Sequence, residues 1–262
     1  MTWIFGHILA VGIGLSLGLI GGGGSILAVP ILIYVLDIAP KVAIAMSLVI
    51  VGAVSLIGVI PHWRQGYVNV KTAAIFAPVA MVGAFLGARL ASLPWIAETI
   101  QLICFGMVMV LASILMIRDS GIKSLPVKAS SQTVVRPIVR PHSKHHWLTI
   151  LLEGLGVGVL TGFVGVGGGF AIIPALVLFG DLPIKEAIGT SLLIIAFKSA
   201  TGFLGYLHQV ELDWILIVTF TLAASLGTLI GASLTRIFEA KQLQKGFGYF
   251  VLVVAVFVLA KQ

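Results

Sequence analysis

One lysine in an apolar run is the residue whose chemistry most needs an explanation. Lys198 lies eleven positions after Ala187, in a run that continues to Tyr206. A lysine near the centre of a bilayer is costly unless it faces a polar cavity or a partner. We therefore interpret Lys198 as an anion-binding or charge-compensating group. The alternative is an ammonium that snorkels along its own stem to one interface.

Two glycine-rich segments offer a second kind of anion chemistry. The candidate substrate-binding residues in them are Gly21, Gly22, Gly23, Gly24 and Ser25, and then Gly165, Gly167, Gly168 and Gly169. Consecutive glycines allow backbone conformations closed to other residues. A helix that restarts after them points free N–H groups at the break, which favours an anion. The alternative is that these glycines only let helices pack closely.

Side chains with hydroxyl and amide groups complete the candidate site. The candidate hydroxyl donors are Ser47, Ser55, Thr190, Ser191, Ser199 and Thr201. Each of them can instead bond a carbonyl one turn back in its own helix. Gln65 and Gln209 are predicted to be a pair of gating residues. No cluster of His, Asp and Glu, no P-loop and no activated nucleophile accompanies them, so the sequence predicts no enzyme, no cofactor and no metal site.

The elements that carry these residues are membrane helices. Of the 262 residues, 59% are hydrophobic and only 10% are charged, and the mean hydropathy is +1.16. A soluble domain has roughly 25% charged residues. Several apolar runs reach about 17 residues or more, which is the length a helix needs to cross a bilayer. The basic residues behind the net charge of +7 lie mostly between these runs. There they indicate which loops are cytoplasmic, so we expect no nucleic-acid partner.

The chain contains an internal duplication without gaps. The segment that begins at Gly18 recurs at Gly162, and the same offset of 144 residues pairs Pro30 with Pro174. The pairs that follow are Asp37 with Asp181, Lys41 with Lys185, Ser47 with Ser191, Gly58 with Gly202, Gln65 with Gln209, Gly83 with Gly227 and Gly87 with Gly231. The predicted organisation is a first transmembrane repeat over 1–117, a basic linker over 118–146 and a second repeat over 147–262.

Each copy is predicted to be all-α. It begins with a helical hairpin broken by glycines, and three transmembrane helices follow. The run over 26–36 is too short to cross a bilayer, because eleven residues at about 1.5 Å each cover roughly half of the hydrocarbon core. The hairpin is therefore either re-entrant, which gives three crossings per copy, or has two spanning arms, which gives five.

Loop charges predict that the two copies are inverted. The loop over 62–71 contains Arg64 and Lys71 and no acid, whereas the equivalent loop over 206–213 contains two acids and no Lys or Arg. By the positive-inside rule, the loop over 62–71 and the linker over 118–146 are cytoplasmic, and both termini are outside. An odd number of crossings per copy agrees with these sides.

The glycine, proline and serine pattern resembles the TauE/SafE sulfite exporter family. The residues that carry the resemblance are Gly18-x-x-Gly-Gly-Gly-Gly with Pro30 and 43–48, then Gly162-x-x-Gly-x-Gly-Gly-Gly with Pro174 and 187–192. The resemblance covers both repeats. It implies a bacterial inner-membrane protein that transports sulfur-containing oxyanions such as sulfite, sulfoacetate or related organosulfonates, commonly outward.

The sequence and the resemblance together predict a secondary transporter for a small sulfur-containing anion, which works by alternating access between inverted repeats. The alternatives are a carrier or facilitator for another small anion, such as a carboxylate, and a membrane scaffold that transports nothing. The expected partners are a small anionic substrate and the lipid bilayer. The coupling ion (proton or sodium), the direction of transport and the oligomeric state, including a homo-oligomer, are left open.

Overall fold

The computed structural model describes residues 2–22, 24–91, 93, 96–119, 146–165, 168–178, 182–207, 210–235 and 240–261. The helices are α1 (Thr2–Ile20), α2 (Ser25–Tyr34), α3 (Pro40–Arg64), α4 (Val70–Ala91), α5 (Glu98–Asp119), α6 (His146–Val164), α7 (Gly169–Leu178), α8 (Ile184–Tyr206), α9 (Trp214–Leu234) and α10 (Ala240–Ala260). No strand occurs among the described residues. The predicted all-α class is confirmed, with five helices on either side of the predicted linker. Residues 120–145 of that linker lie outside the described residues.

Five of these helices are long and apolar enough to cross a membrane: α1, α3, α4, α8 and α9. The longest of the five, α3, has 25 residues, which corresponds to about 37 Å. In contrast, α2 and α7 have 10 residues each and reach roughly half of the core. Each half therefore contains one short helix among longer ones, as the apolar runs predicted.

The glycine breaks end α1 and α6 and turn the chain back. Gly21 and Gly165 have φ angles of 83° and 74°, a left-handed conformation that glycine adopts without steric cost. Along the first hairpin, Gly24 lies against Ile13 and Leu17, and Leu36 lies against Gly6 near the start of α1. The short helix α2 therefore runs antiparallel to α1.

Glycines set close helix contacts between the two halves. In the pair α1–α9, a methyl group on Gly14 or Gly18 would overlap the backbone of α9. In the pair α4–α6, the equivalent Gly158 and Gly162 would overlap α4 in the same way. Close backbone approach through small residues is a usual way for membrane helices to pack, since lipid provides no hydrophobic drive between them. Pairs related by the 144-residue offset therefore make the same contact.

Helices α3 and α8 are equivalent in the two halves, and they pack against each other. A methyl group added to Gly58 would lie 3.4 Å from Leu192, and one added to Gly202 would lie 3.6 Å from Leu48. Gly58, late in α3, lies near Leu192, early in α8. Leu48, early in α3, lies near Gly202, late in α8. The two helices are therefore antiparallel, and each of these two contacts becomes the other when the halves are exchanged.

The glycine contacts make a prediction about stability. Gly14→Ala should lower the free energy of unfolding by about 1–3 kcal/mol, because the added methyl group overpacks a tight contact. The matched control is Gly12→Ala in the same helix, where the methyl group meets nothing within 4 Å. Thermal unfolding in detergent compares the two. Equal midpoints for the two variants would contradict this account of helix packing.

Candidate functional site

The two glycine breaks meet each other. A methyl group on Gly22 would overlap Cα of Gly169, and one on Gly169 would overlap Cα of Gly22. Two backbones approach this closely only where neither has a side chain. Gly23 and Gly167 lie outside the described residues. One predicted glycine of each break, Gly22 and Gly169, is thus in contact with the other where α2 and α7 begin.

Each break also packs against a long helix of the other half: the first break against α8 and the second against α3. A side chain at Gly21 would meet Ile188, Ile173 and the hydroxyl of Ser191 at 3.0–3.1 Å. Gly165 lies against Ile44, the equivalent of Ile188, and its carbonyl accepts a 2.7 Å hydrogen bond from Ser47 Oγ. Each hairpin tip is therefore held by the opposite half.

Lys198 lies beside the second break and is completely buried, with 0% of its surface exposed. Its ammonium donates a hydrogen bond to Thr161 Oγ1 on α6 and lies next to Gly168. Of the Asp and Glu side chains whose burial the structure describes, none is buried, and the hydrogen-bond partner described for this lysine is a neutral hydroxyl. A completely buried side chain does not fit the alternative of a snorkelling ammonium, and the anion-binding or charge-compensating role of Lys198 stays a prediction.

Thr161 is a residue of this site that the sequence reasoning missed. Its equivalent at the 144-residue offset is Leu17, and the equivalent of Lys198 is Val54. Leu17 and Val54 are both buried with 0% exposure. The second copy therefore replaces two apolar core residues with a bonded polar pair. These two departures from the repeat, taken together, are the signal in the sequence that points to Thr161.

The predicted hydroxyl residues have different positions. Ser25 donates to the carbonyl of Gly22 at 2.7 Å, so it holds the first break. Ser191 donates to the carbonyl of Ile188 in its own helix and contacts Gly21. Thr190 instead accepts a bond from the amide of Asn69 in the loop after α3, away from the breaks. Ser25 and Ser191 are thus at the breaks, and Thr190 is not.

Ser199 has an unused hydroxyl. Its Oγ and that of its equivalent, Ser55, are both buried, and neither has a hydrogen-bond partner among the described residues. A methyl group added to Gly52 of α3 would lie 3.2 Å from Cβ of Ser199. A buried hydroxyl without a partner costs free energy. Two such groups therefore lie along α3 and α8, the helices that pack at the centre.

Gln65 is separated from this group of residues. It follows the last residue of α3 and lines a cavity of about 360 Å³ together with Ile60, Pro61, Arg64, Leu229 and Ser233. Its Oε1 is buried without a partner among the described residues. Gln209 lies outside the described residues. The structure thus places Gln65 at a helix end, and the gating role of the pair stays a prediction.

The chain is similar to known families and proteins. The family described as Sulfite exporter TauE/SafE matches residues 7–258. A probable membrane transporter protein of Xylella fastidiosa (strain 9a5c) is 36% identical over 250 residues, which cover 94% of this chain and 91% of that protein. Probable membrane transporter protein YdhB of Bacillus subtilis (strain 168) is 28% identical over 226 residues, which cover 86% and 87%. No solved structure matches the chain. The chain belongs to the TauE/SafE family, and it is a multi-pass membrane protein of the transporter type.

Proposed function

We propose that this protein is a secondary transporter that exports a small sulfur-containing anion, such as sulfite, sulfoacetate or another organosulfonate, across the bacterial inner membrane. The anion binds beside Lys198, where the glycine breaks meet. The observation that carries the proposal is the completely buried amino group of Lys198, whose described hydrogen-bond partner is the neutral hydroxyl of Thr161. Family membership supports the sulfur anion and the outward direction.

The energetics of the buried ammonium favour an anionic ligand. Removing an ammonium from water costs several kcal/mol even after the protein relaxes. One bond to a neutral hydroxyl returns only a small part of that cost, since a typical hydrogen bond contributes about 1 kcal/mol net. A bound anion supplies the missing countercharge. The start of α7 at Gly169 adds free backbone N–H groups close to the ammonium, and these also favour negative charge.

The proposed mechanism is alternating access by two inverted repeats, with re-entrant hairpins. Three features support the inversion: the antiparallel packing of α3 and α8, the matching helix pairs in the two halves, and the opposite charges of equivalent loops. Broken helices that meet near the midplane are the usual substrate site of such transporters. In the proposed orientation the linker over 118–146 is cytoplasmic and both termini are outside. The odd number of crossings in each copy then places equivalent loops on opposite faces.

The orientation can be tested at two equivalent positions. Val70 and Trp214 are the first residues of α4 and α9, are 144 residues apart and are both exposed. In a Cys104→Ser background, which removes the single cysteine, Trp214→Cys should react with an impermeant maleimide added to intact cells. Val70→Cys should react only after permeabilisation. Reaction of both cysteines from the same side would exclude inversion.

The anion site can be tested with two lysines of one helix. Lys198→Met should weaken binding of sulfite or sulfoacetate roughly 10- to 100-fold, since a hydrogen bond to a charged group contributes about 1.5–3 kcal/mol. Without anion this variant should unfold at a higher temperature, because a buried charge is removed. Ligand-dependent thermal shifts and flux into proteoliposomes measure both effects.

The control for this test is Lys185→Met, in the exposed first turn of α8, which should bind and transport like the unchanged protein. Acetate and succinate serve as carboxylate controls for the substrate class. Unchanged sulfoacetate binding in Lys198→Met would remove this lysine from the site. Transport of carboxylates in preference to every sulfur anion would contradict the substrate proposed here.

The bond between Thr161 and Lys198 makes a separate prediction. Thr161→Val keeps the side-chain shape but removes the ammonium's hydrogen-bond acceptor, so the anion-free protein should lose about 1–3 kcal/mol of unfolding free energy. Saturating sulfoacetate should recover part of this loss by supplying another acceptor. Ser113→Ala is the control, since that buried hydroxyl bonds only a carbonyl of its own helix. A loss in Thr161→Val that sulfoacetate leaves unchanged would show that the threonine does not act through the lysine.

A further inference from the structure

His62 is a buried titratable residue that the anion site does not use. It lies in the last turn of α3 with only 2% of its surface exposed. Its Nε2 is 3.2 Å from the carbonyl oxygen of Gly18, and its Nδ1 is buried without a partner among the described residues. Gly18 is in the last turn of α1, just before the first glycine break. The histidine therefore links the end of the broken helix α1 to the long helix α3.

The equivalent residue in the second copy makes the same contact with different chemistry. Tyr206 is 144 residues after His62, and its hydroxyl lies 3.3 Å from the carbonyls of Gly162 and Phe163 at the end of α6. Gln101 supports it, donating to Tyr206 Oη at 3.1 Å and to the Phe163 carbonyl at 2.7 Å. The final carbonyls of a helix have no partner within that helix. Both residues therefore cap a broken helix, but only the first cap is an imidazole.

The hydrogen bond fixes the tautomer of the neutral imidazole. A carbonyl oxygen only accepts, so Nε2 must carry the hydrogen in its bond to Gly18. In the neutral ring Nδ1 then has a free lone pair. Imidazole is the side chain whose unperturbed charge change falls between about pH 5 and 8.

A second proton would alter the contact. Protonated Nδ1 becomes a donor, yet it has no acceptor among the described residues. A buried donor without an acceptor costs about 1–3 kcal/mol, and more when it is charged. The protonated ring therefore favours a rearranged state in which Nδ1 reaches an acceptor or water. Because Gly18 is bonded to the same ring, that rearrangement involves the end of α1.

We propose that His62 is a proton-binding site through which proton uptake is coupled to movement of the α1–α2 hairpin, with the proton as the coupling ion of the transporter. This inference rests on the proposed function and concerns its energy source. The step transfers one proton to the lone pair of Nδ1 and back, with no change in oxidation state. The arrangement described above belongs to the neutral ring, so acid should destabilise it.

Few other charged groups come from the elements around His62. In α1 the titratable side chain is His7, near the opposite end of that helix. Helix α8, whose Gly189 lies against His62, has Lys185 and Glu186 in its first turn. Tyr67, in the loop after α3, packs under Lys185, whose Nζ is 5.8 Å from the ring centre. None of these groups is bonded to Nδ1.

The first experiment follows protonation directly. Purified protein with isotope-labelled histidine contains six imidazoles, and the signal missing in His62→Gln identifies His62. As the pH is lowered from about 8, its NMR shifts should show one protonation step, together with a change in a fluorescent probe on the α1–α2 hairpin. An imidazole that does not titrate before the protein unfolds in acid, or that titrates without any change at the hairpin, overturns the proposal.

The second experiment follows transport in proteoliposomes that contain a pH dye. Sulfoacetate movement by the unchanged protein should be accompanied by proton movement. In His62→Gln, which keeps a donor for Gly18 but has no basic nitrogen, sulfoacetate counterflow should persist while proton movement falls to that of empty liposomes. His62→Tyr, which copies the second repeat, should behave alike and provides a second variant if the first is unstable.

The control histidine is His7. Its two ring nitrogens already have partners, the carbonyl of Trp3 and the hydroxyl of Thr219, so His7→Gln should keep both fluxes. Proton movement that persists in both His62 variants overturns the proposal. Sulfoacetate flux without protons in the unchanged protein overturns it as well, while leaving the proposed function intact. No anion flux at all would reject the proposed function and with it the coupling role, and the NMR titration would then decide on proton binding alone.

Discussion

A helix that stops inside a membrane leaves backbone carbonyls and amides that need partners, because the hydrocarbon offers no hydrogen bonds. The described structure meets this requirement at both glycine breaks. Ser25 bonds the carbonyl of Gly22, Ser47 bonds that of Gly165, and His62 and Tyr206 contact the carbonyls of Gly18 and Gly162. Of these bonds, the one from Ser47 to Gly165 joins the two halves. The two halves therefore depend on each other for backbone satisfaction, in addition to packing.

The contact between the two hairpin tips limits how each tip can move. Gly22 and Gly169 touch through their backbones, and close-packed interiors do not deform continuously. One tip cannot move toward the other without displacing it. A change at one hairpin is therefore expected to be transmitted to the second, which suits a mechanism in which one side closes as the other opens.

The sequence predicted most of the framework and part of the site. The apolar runs, the two glycine breaks and the buried position of Lys198 were all predictable, because hydropathy and glycine content report directly on backbone and burial. The close contact between Gly22 and Gly169 was not predictable, since tertiary placement of two loops leaves no local signal. Thr161 was missed for a related reason: a single hydroxyl in an apolar helix usually bonds its own backbone, as Thr161 also does with Val157. Only its pairing with Lys198 gives it another role.

The departures from symmetry are the features that a carrier can use. An exact duplication would give two equivalent breaks and no net charge between them, whereas here the second copy has Lys198 with Thr161 in place of Val54 with Leu17. Without an anion, the site contains a buried positive charge, which opposes any movement that drags the charge through the apolar core. A bound anion neutralises that charge and lowers the cost of the movement. Under the proposed function, the loaded carrier would therefore change state more readily than the empty one, and Lys198 would both bind the substrate and make movement depend on its presence.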